Sequence, residues 1–181
     1  NRFAMKKAGL AYVADCNEDR LTSMMKRQKD GLSVMPFEIV SHQHYTLVEA
    51  HELRVVLDLV DNEGIELSEA CYVTQAIREL PVHPLNHMRS EGDFWIGAGL
   101  VWDEDCTSYW KLKVAGLFED LTQQFKSKME QEFSKCELAR SVCVNVSRSA
   151  DSVRRRALEL GLPEGEEYSN AWIVPRRSRG R

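Results

Sequence analysis

No apolar run in the 181-residue sequence approaches the roughly 20 residues that a membrane-spanning helix needs, so a soluble chain is expected. The five cysteines, at positions 16, 71, 106, 136 and 143, are odd in number and scattered, with no C-x-x-C pair. Neither a disulfide framework nor a zinc finger is indicated, and the reducing cytosol is the natural compartment. Charge of one sign is lacking too: 24 Lys and Arg stand against 28 Asp and Glu, a formal net charge of −4, which argues against a protein that coats nucleic acid indiscriminately. There is no phosphate-cradling glycine loop, and no motif joins a nucleophile, a base and an orienting partner. GAGL near residue 97 sits between bulky apolar residues in a strand-like context, so neither an enzyme nor a cofactor is expected. The apolar stretch after Lys6 and Lys7 is short and runs at once into Asp15, Glu18 and Asp19, which does not suit a secretory signal. Repeats are absent, and the only biased segment is the basic tail at 175–181.

What is present is an ordinary globular composition, 43% hydrophobic and 29% charged, with length for one substantial domain or two small ones. Its charge is unevenly spread. Through Leu32, Lys and Arg at 2, 6, 7, 20, 26, 27 and 29 outnumber Asp and Glu at 15, 18, 19 and 30, a local excess of 7 − 4 = +3. Positive potential therefore gathers at one end, as a localised nucleic-acid footprint would.

The apolar spacing predicts a helix over residues 3–14, with Phe3, Leu10, Val13 and Ala14 on its inner face, and then a polar break at Asp15-Cys16-Asn17. Asn17 suits an N-cap for a second helix, acidic at its start and basic at its end, with Leu21, Met24 and Met25 buried. Residues 37–45, rich in β-formers and histidine, predict a strand or short hairpin. Leu53, Val56, Leu57 and Val60 recur at i, i+3, i+4 and i+7 in the clearest amphipathic helix of the chain, which Gly64 should terminate. A further helix starts near Ser68, with Ala70, Val73, Ile77 and Leu80 on one face, and ends at Pro81 and Pro84. The prolines and glycine of residues 81–91 predict a linker. Beyond it, FWIGAGLVW and SYWKLKVAGL predict two strands joined by Asp103-Glu104-Asp105, followed by a helix over 117–133. The stretch around 134–162 has two readings, strand then helix or a second helix-turn-helix. Alternation of Val142, Val144 and Val146 favours the first.

In this order of elements, residues 3–80 resemble the winged helix-turn-helix of MerR-type and excisionase-like DNA-binding proteins. The resemblance rests on Leu10-Ala11, Asp15-Cys16 and Leu21, and then on Tyr45, Glu52-Leu53, Gly64 and Ser68-Glu69-Ala70. There are departures: Asp15 stands where the family has a glycine and Gln43 where it has an arginine, which removes a bidentate phosphate contact. The prolines at 81 and 84 prevent the family's long dimerising helix, and its metal-binding cysteine loop is missing.

The resemblance implies a winged helix-turn-helix at 1–80; with the linker at 81–91 and the elements read beyond it, the chain is expected to be α+β, with a dimerisation or sensing domain of about three strands and two helices at 92–174. It also implies a sequence-specific transcriptional regulator in the bacterial cytoplasm, nucleoid-associated, that binds double-stranded DNA as a homodimer without a membrane partner. On the second helix, Asn17 and Arg20 suit base edges, since asparagine can pair with adenine and arginine with guanine. Ser23 shares that face, and Lys26, Arg27 and Lys29 suit phosphates. His42, Gln43, His44 and Tyr45 would contact DNA from the wing. Other readings remain: an excisionase or DNA-packaging adaptor of a mobile element, or a ligand- or protein-binding module in which the helix-turn-helix is vestigial. The acidic Glu18 and Asp19 favour the last. Metal ligation by His42 and His44, with His51, His83 or His87 as further donors, lacks a carboxylate or cysteine at a convincing spacing. Asp103-Glu104-Asp105 reads more simply as a charged turn than as a cation site, and Cys136 and Cys143 as core.

Overall fold

The computed structural model describes residues 5–39, 44–87, 89–105 and 107–162. Among them the chain is mixed α+β, with six α-helices and one three-stranded antiparallel sheet. No helix among the described residues is long and apolar enough to cross a membrane.

Helix α1 (Lys7–Val13) is shorter than expected, and Phe3 lies outside the described residues. It buries Leu10, Ala11 and Val13. A tight turn leads into α2 (Glu18–Lys29), which buries Leu21, Met24 and Met25 as the sequence predicts. Of the strand expected over 37–45, residues 37–39 carry no regular structure and 40–43 lie outside the described residues. Tyr45 forms an isolated antiparallel bridge with Met5, its N–H and C=O bonded to the Met5 backbone at 2.7 and 2.8 Å. That bridge returns the chain to the start of α1. Thr46 and Glu49 then form a reciprocal capping box on α3 (Leu47–Glu63), which ends at Gly64 in the left-handed conformation that only glycine adopts without penalty. The next helix, α4, covers only Leu67–Thr74 and tightens into a 3-10 turn over Gln75–Glu79. Ala70, Val73, Ile77 and Leu80 are nonetheless all buried.

Residues 81–87 are packed rather than extended in solvent: His83, Pro84 and Leu85 are buried, and Leu85 joins the core beneath α1 and α2. Strands β1 (Phe94–Trp102) and β2 (Ser108–Leu117) occupy the two segments predicted as strands on either side of the acidic turn. In the turn between them Asp103 Oδ1 accepts from the N–H groups of Asp105 and Thr107, so the acidic run is a side-chain-closed hairpin. Helix α5 (Leu121–Glu132) follows a short 3-10 turn, and β3 (Glu137–Asn145) leads directly into α6 (Val146–Glu159). Strand-then-helix is thus the outcome for this stretch.

The sheet order is β2-β1-β3. One face, with Phe94, Ile96, Ala98 and Val142, packs on α3, α4 and the 3-10 turn after it through Val55, Leu59, Ala70 and Ile77. The other carries Val101, Leu112 and Val114 against Leu121 and Phe125 of α5. Helix α6 turns away from the sheet and places Ala150, Val153 and Ala157 into the core formed by α1, α2 and α3. Among the described residues the first and last helices therefore share one apolar interior.

Candidate nucleic-acid interface

The turn between α1 and α2 reverses direction at Asp15, whose φ of 55° is the only positive value on a non-glycine among the described residues. An αL residue costs roughly 1–2 kcal/mol unless it is glycine. Here neighbouring cations hold Asp15 in place. Arg156 of α6 reaches its Oδ1 at 2.7 Å, and Arg54 of α3 lies 3.6 Å from Oδ2 while donating to the carbonyls of Ala14 and Asp15. Arg54 also pairs with Asp58 one turn along α3. Arg156 also donates to the Tyr12 carbonyl at 3.2 Å, so carbonyls at the end of α1 are met by side chains from two other helices.

Asn17 caps α2, its Oδ1 accepting from the N–H groups of Asp19 and Arg20 at 2.8 and 3.3 Å. Arg20 grips Asp61 of α3 in a fork, with both N–H···O distances at 2.8 Å. Those bonds hold the Asp61 carboxyl below the usual carboxylate range and raise the Arg20 guanidinium further above neutrality. The two residues expected to read base edges are therefore engaged in fixing α2 at its start and against α3. Tyr45 needs a larger correction. It is buried, its hydroxyl 3.8 Å from Met25 Sδ and its ring 5.9 Å from Phe37, so it belongs to the core and offers nothing to a ligand.

The remaining expected residues on α2 do share an open face. Ser23, Lys26 and Arg27 are exposed at i, i+3 and i+4, Lys29 is exposed beside them, and none of the three cations has an ion pair among the described residues. Asp19 and Asp30 bound this row, and Glu18 stands with Asp19 in the first turn, so positive charge is confined to the second half of the helix. His44 is exposed, whereas His42 and Gln43 lie outside the described residues. Tyr12 of α1 faces α6, donating to Glu159 at 2.5 Å under the Arg156 guanidinium.

A second concavity was not legible in the sequence. An open cleft of about 460 Å³ is lined by Asp15, Arg54, Asp58, Asn62, Asn145 and Arg148, among others. Its residues come from four segments, and the local pattern carries no signal for such convergence. The histidines considered as ligands are placed differently again. His51 and His83 are fully buried with rings 5.1 Å apart; His51 Nε2 bonds to the Val146 carbonyl at 2.9 Å, and His83 Nδ1 accepts from Leu85 N–H. His87 stacks on Phe94. No group of three His, Cys, Asp or Glu side chains converges among the described residues. No protein-family model matches the chain, and no curated protein matches it.

Proposed function

We propose that this chain is a sequence-specific regulator that binds double-stranded DNA as a homodimer through a winged helix-turn-helix over residues 1–80, with α1 and α2 as its helix-turn-helix. The observation that carries the reading is the pairing of a left-handed turn at Asp15 with an α2 whose outward row, Ser23, Lys26, Arg27 and Lys29, is exposed and not tied to other side chains. Such a helix can enter the major groove, where arginine reads guanine and lysine neutralises phosphate. Base reading falls to Ser23 and Arg27 rather than to Asn17 and Arg20, which the fold already employs. His42, Gln43 and His44 remain candidates for backbone or minor-groove contact. Recruitment to a mobile element's excision or packaging machinery is compatible with the same DNA-holding surface. A ligand-binding role draws support from the cleft beside Asp15 and Arg148 and from the acidic first turn of α2.

The test uses DNA selected from random fragments by the intact protein. Arg27→Ala is expected to relax preference at one base position in each half-site by about 1–3 kcal/mol, while Lys26→Ala weakens all sequences alike. Equal loss from both variants on every sequence excludes base reading by this face. If wild type enriches no sequence but a small molecule raises its melting temperature, the ligand-binding role replaces the regulator reading.

A further inference from the structure

Lys7 opens α1, yet its side chain lies on α2. Its ammonium donates to Thr22 Oγ1 at 2.9 Å, and the Thr22 hydroxyl donates in turn to the Glu18 carbonyl at 2.7 Å, so the direction of both bonds is set. Lys7 is half-buried, whereas Lys6 beside it is exposed and bonds nothing through its side chain among the described residues. Fixing a lysine side chain costs rotamer entropy, and here the bond that offsets this cost goes to a neutral hydroxyl. Glu18 and Asp19 stand in the first turn of α2, but Lys7 forms no ion pair with any described residue. Its charge is held in place without being neutralised, and two of its three ammonium protons remain open.

Thr22 is in line with two cations of α2. Residues 22, 26 and 29 are exposed and follow one another at i, i+4 and i+7, so they share one stripe of the helix. Ser23 and Arg27 form the neighbouring stripe, about 100° round the helix axis. The ammonium held at Thr22 therefore completes a row with Lys26 and Lys29, about 10 Å long at the α-helical rise per residue. Glu18 and Asp19 precede this row and Asp30 follows it, and none of the three pairs with a member of it. A line of ammonium charges beside a stripe that carries a guanidinium matches the two parts of a DNA strand. Phosphates repeat about every 3.4 Å along its axis, and base edges lie beside them in the groove. Nothing in the sequence near Lys7 announces this placement, since 15 residues separate it from Thr22.

We propose that Lys7, held by Thr22, is a phosphate contact of the DNA-binding face: the row Lys7, Lys26 and Lys29 grips the backbone while Ser23 and Arg27 face the base edges. The assignment rests on the regulator reading and adds to it a residue of α1 and an orientation. Helix α2 meets DNA by the half that follows Thr22 and not by its acidic first turn, where Asn17 and Arg20 are already bound within the fold.

Affinity of the intact chain for a fragment it selects from random DNA, and for an unrelated duplex, measured over a range of salt, tests this. Lys7→Gln is expected to weaken both by the same factor, about tenfold at low salt, to make the salt dependence shallower and to leave the selected motif unchanged. Lys126→Gln removes the same charge from an exposed position on α5 and is expected to leave both affinities at the wild-type value. Because a weakened α1 could also lower affinity, Lys7→Arg is measured beside them; it keeps the charge and is expected to restore the binding and the steep salt dependence. With a motif selected by wild type, the inference alone is overturned if Lys7→Gln binds like Lys126→Gln, if it changes the motif, or if Lys7→Arg binds no better than Lys7→Gln. A wild type that selects no fragment defeats the regulator reading, and the row falls with it.

Discussion

At the scale of the residue, two polar side chains that the sequence offered for base reading, Asn17 and Arg20, are taken up by the fold itself. Asn17→Ala removes the α2 cap and is expected to cost about 1 kcal/mol, most of it recovered by Asn17→Asp or Asn17→Ser, as read from urea midpoints. Arg20→Ala breaks the fork to Asp61, whose partners are 39% and 45% exposed, so solvent screening limits the loss to at most about 1 kcal/mol. Both variants are expected to leave the base preference of selected DNA fragments unchanged. A changed motif in Arg20→Ala would return that residue to the reading surface. A cap at Asn17 was legible, because an asparagine before an acidic first turn is a local signal. Arg20–Asp61 was not, because its members are 41 residues apart and nothing near either one names the other.

Among elements, those with a strong local period emerged from the sequence at nearly their true bounds. Residues 94–102 and 108–117 are largely apolar runs of strand length on either side of an acidic turn, and Gly64 is an unambiguous stop after four apolar residues at helical spacing. The segment at 37–45 misled, since β-forming composition there serves burial of Phe37, Ile39 and Tyr45 around the first core rather than a strand through 37–39. The α5 start was set four residues early because the spacing of Leu117 and Leu121 continues through a 3-10 turn. The sheet's tightest constraint is Gly97, where an added methyl would meet Phe125 Cζ and Val114 Cγ2 at 2.7 Å. Gly97→Ala must push α5 off the sheet or strain Phe125. A loss of about 1–3 kcal/mol is expected by chemical denaturation, and Phe125→Leu in the same chain should recover part of it.

For the whole molecule, the decisive feature is that α6 seals the core of α1, α2 and α3, so the cationic face of α2 is carried on an interior built from both ends of the chain. Buried ionisable groups of that interior set its response to acid. Burial lowers His51 to about 4 and His83 to about 2, while burial of Glu52 raises its carboxyl to about 7 despite Arg78 nearby. Between about pH 4.5 and 6.5 the unfolded chain takes up two histidine protons that the native state refuses, and the native state holds one Glu52 proton that the unfolded chain releases. Both histidines make stability fall as pH drops below 6.5, whereas Glu52 opposes this, its stabilisation being present at low pH and lost as pH rises through 7. One net proton remains, so stability should fall by roughly 1 kcal/mol per pH unit on acidification across that window, and about twice as steeply in Glu52→Gln. Denaturant titrations at pH 5 and 6 check both slopes. The central claim is reached most directly by the salt dependence of affinity for a DNA fragment selected from random sequence. With Lys26, Arg27 and Lys29 of two copies on phosphates, the fragment should be palindromic, log K should fall with log salt at a slope of roughly −5, and Ala at all three positions should flatten that slope. No enriched fragment, or a slope near zero in the wild type, would contradict the account.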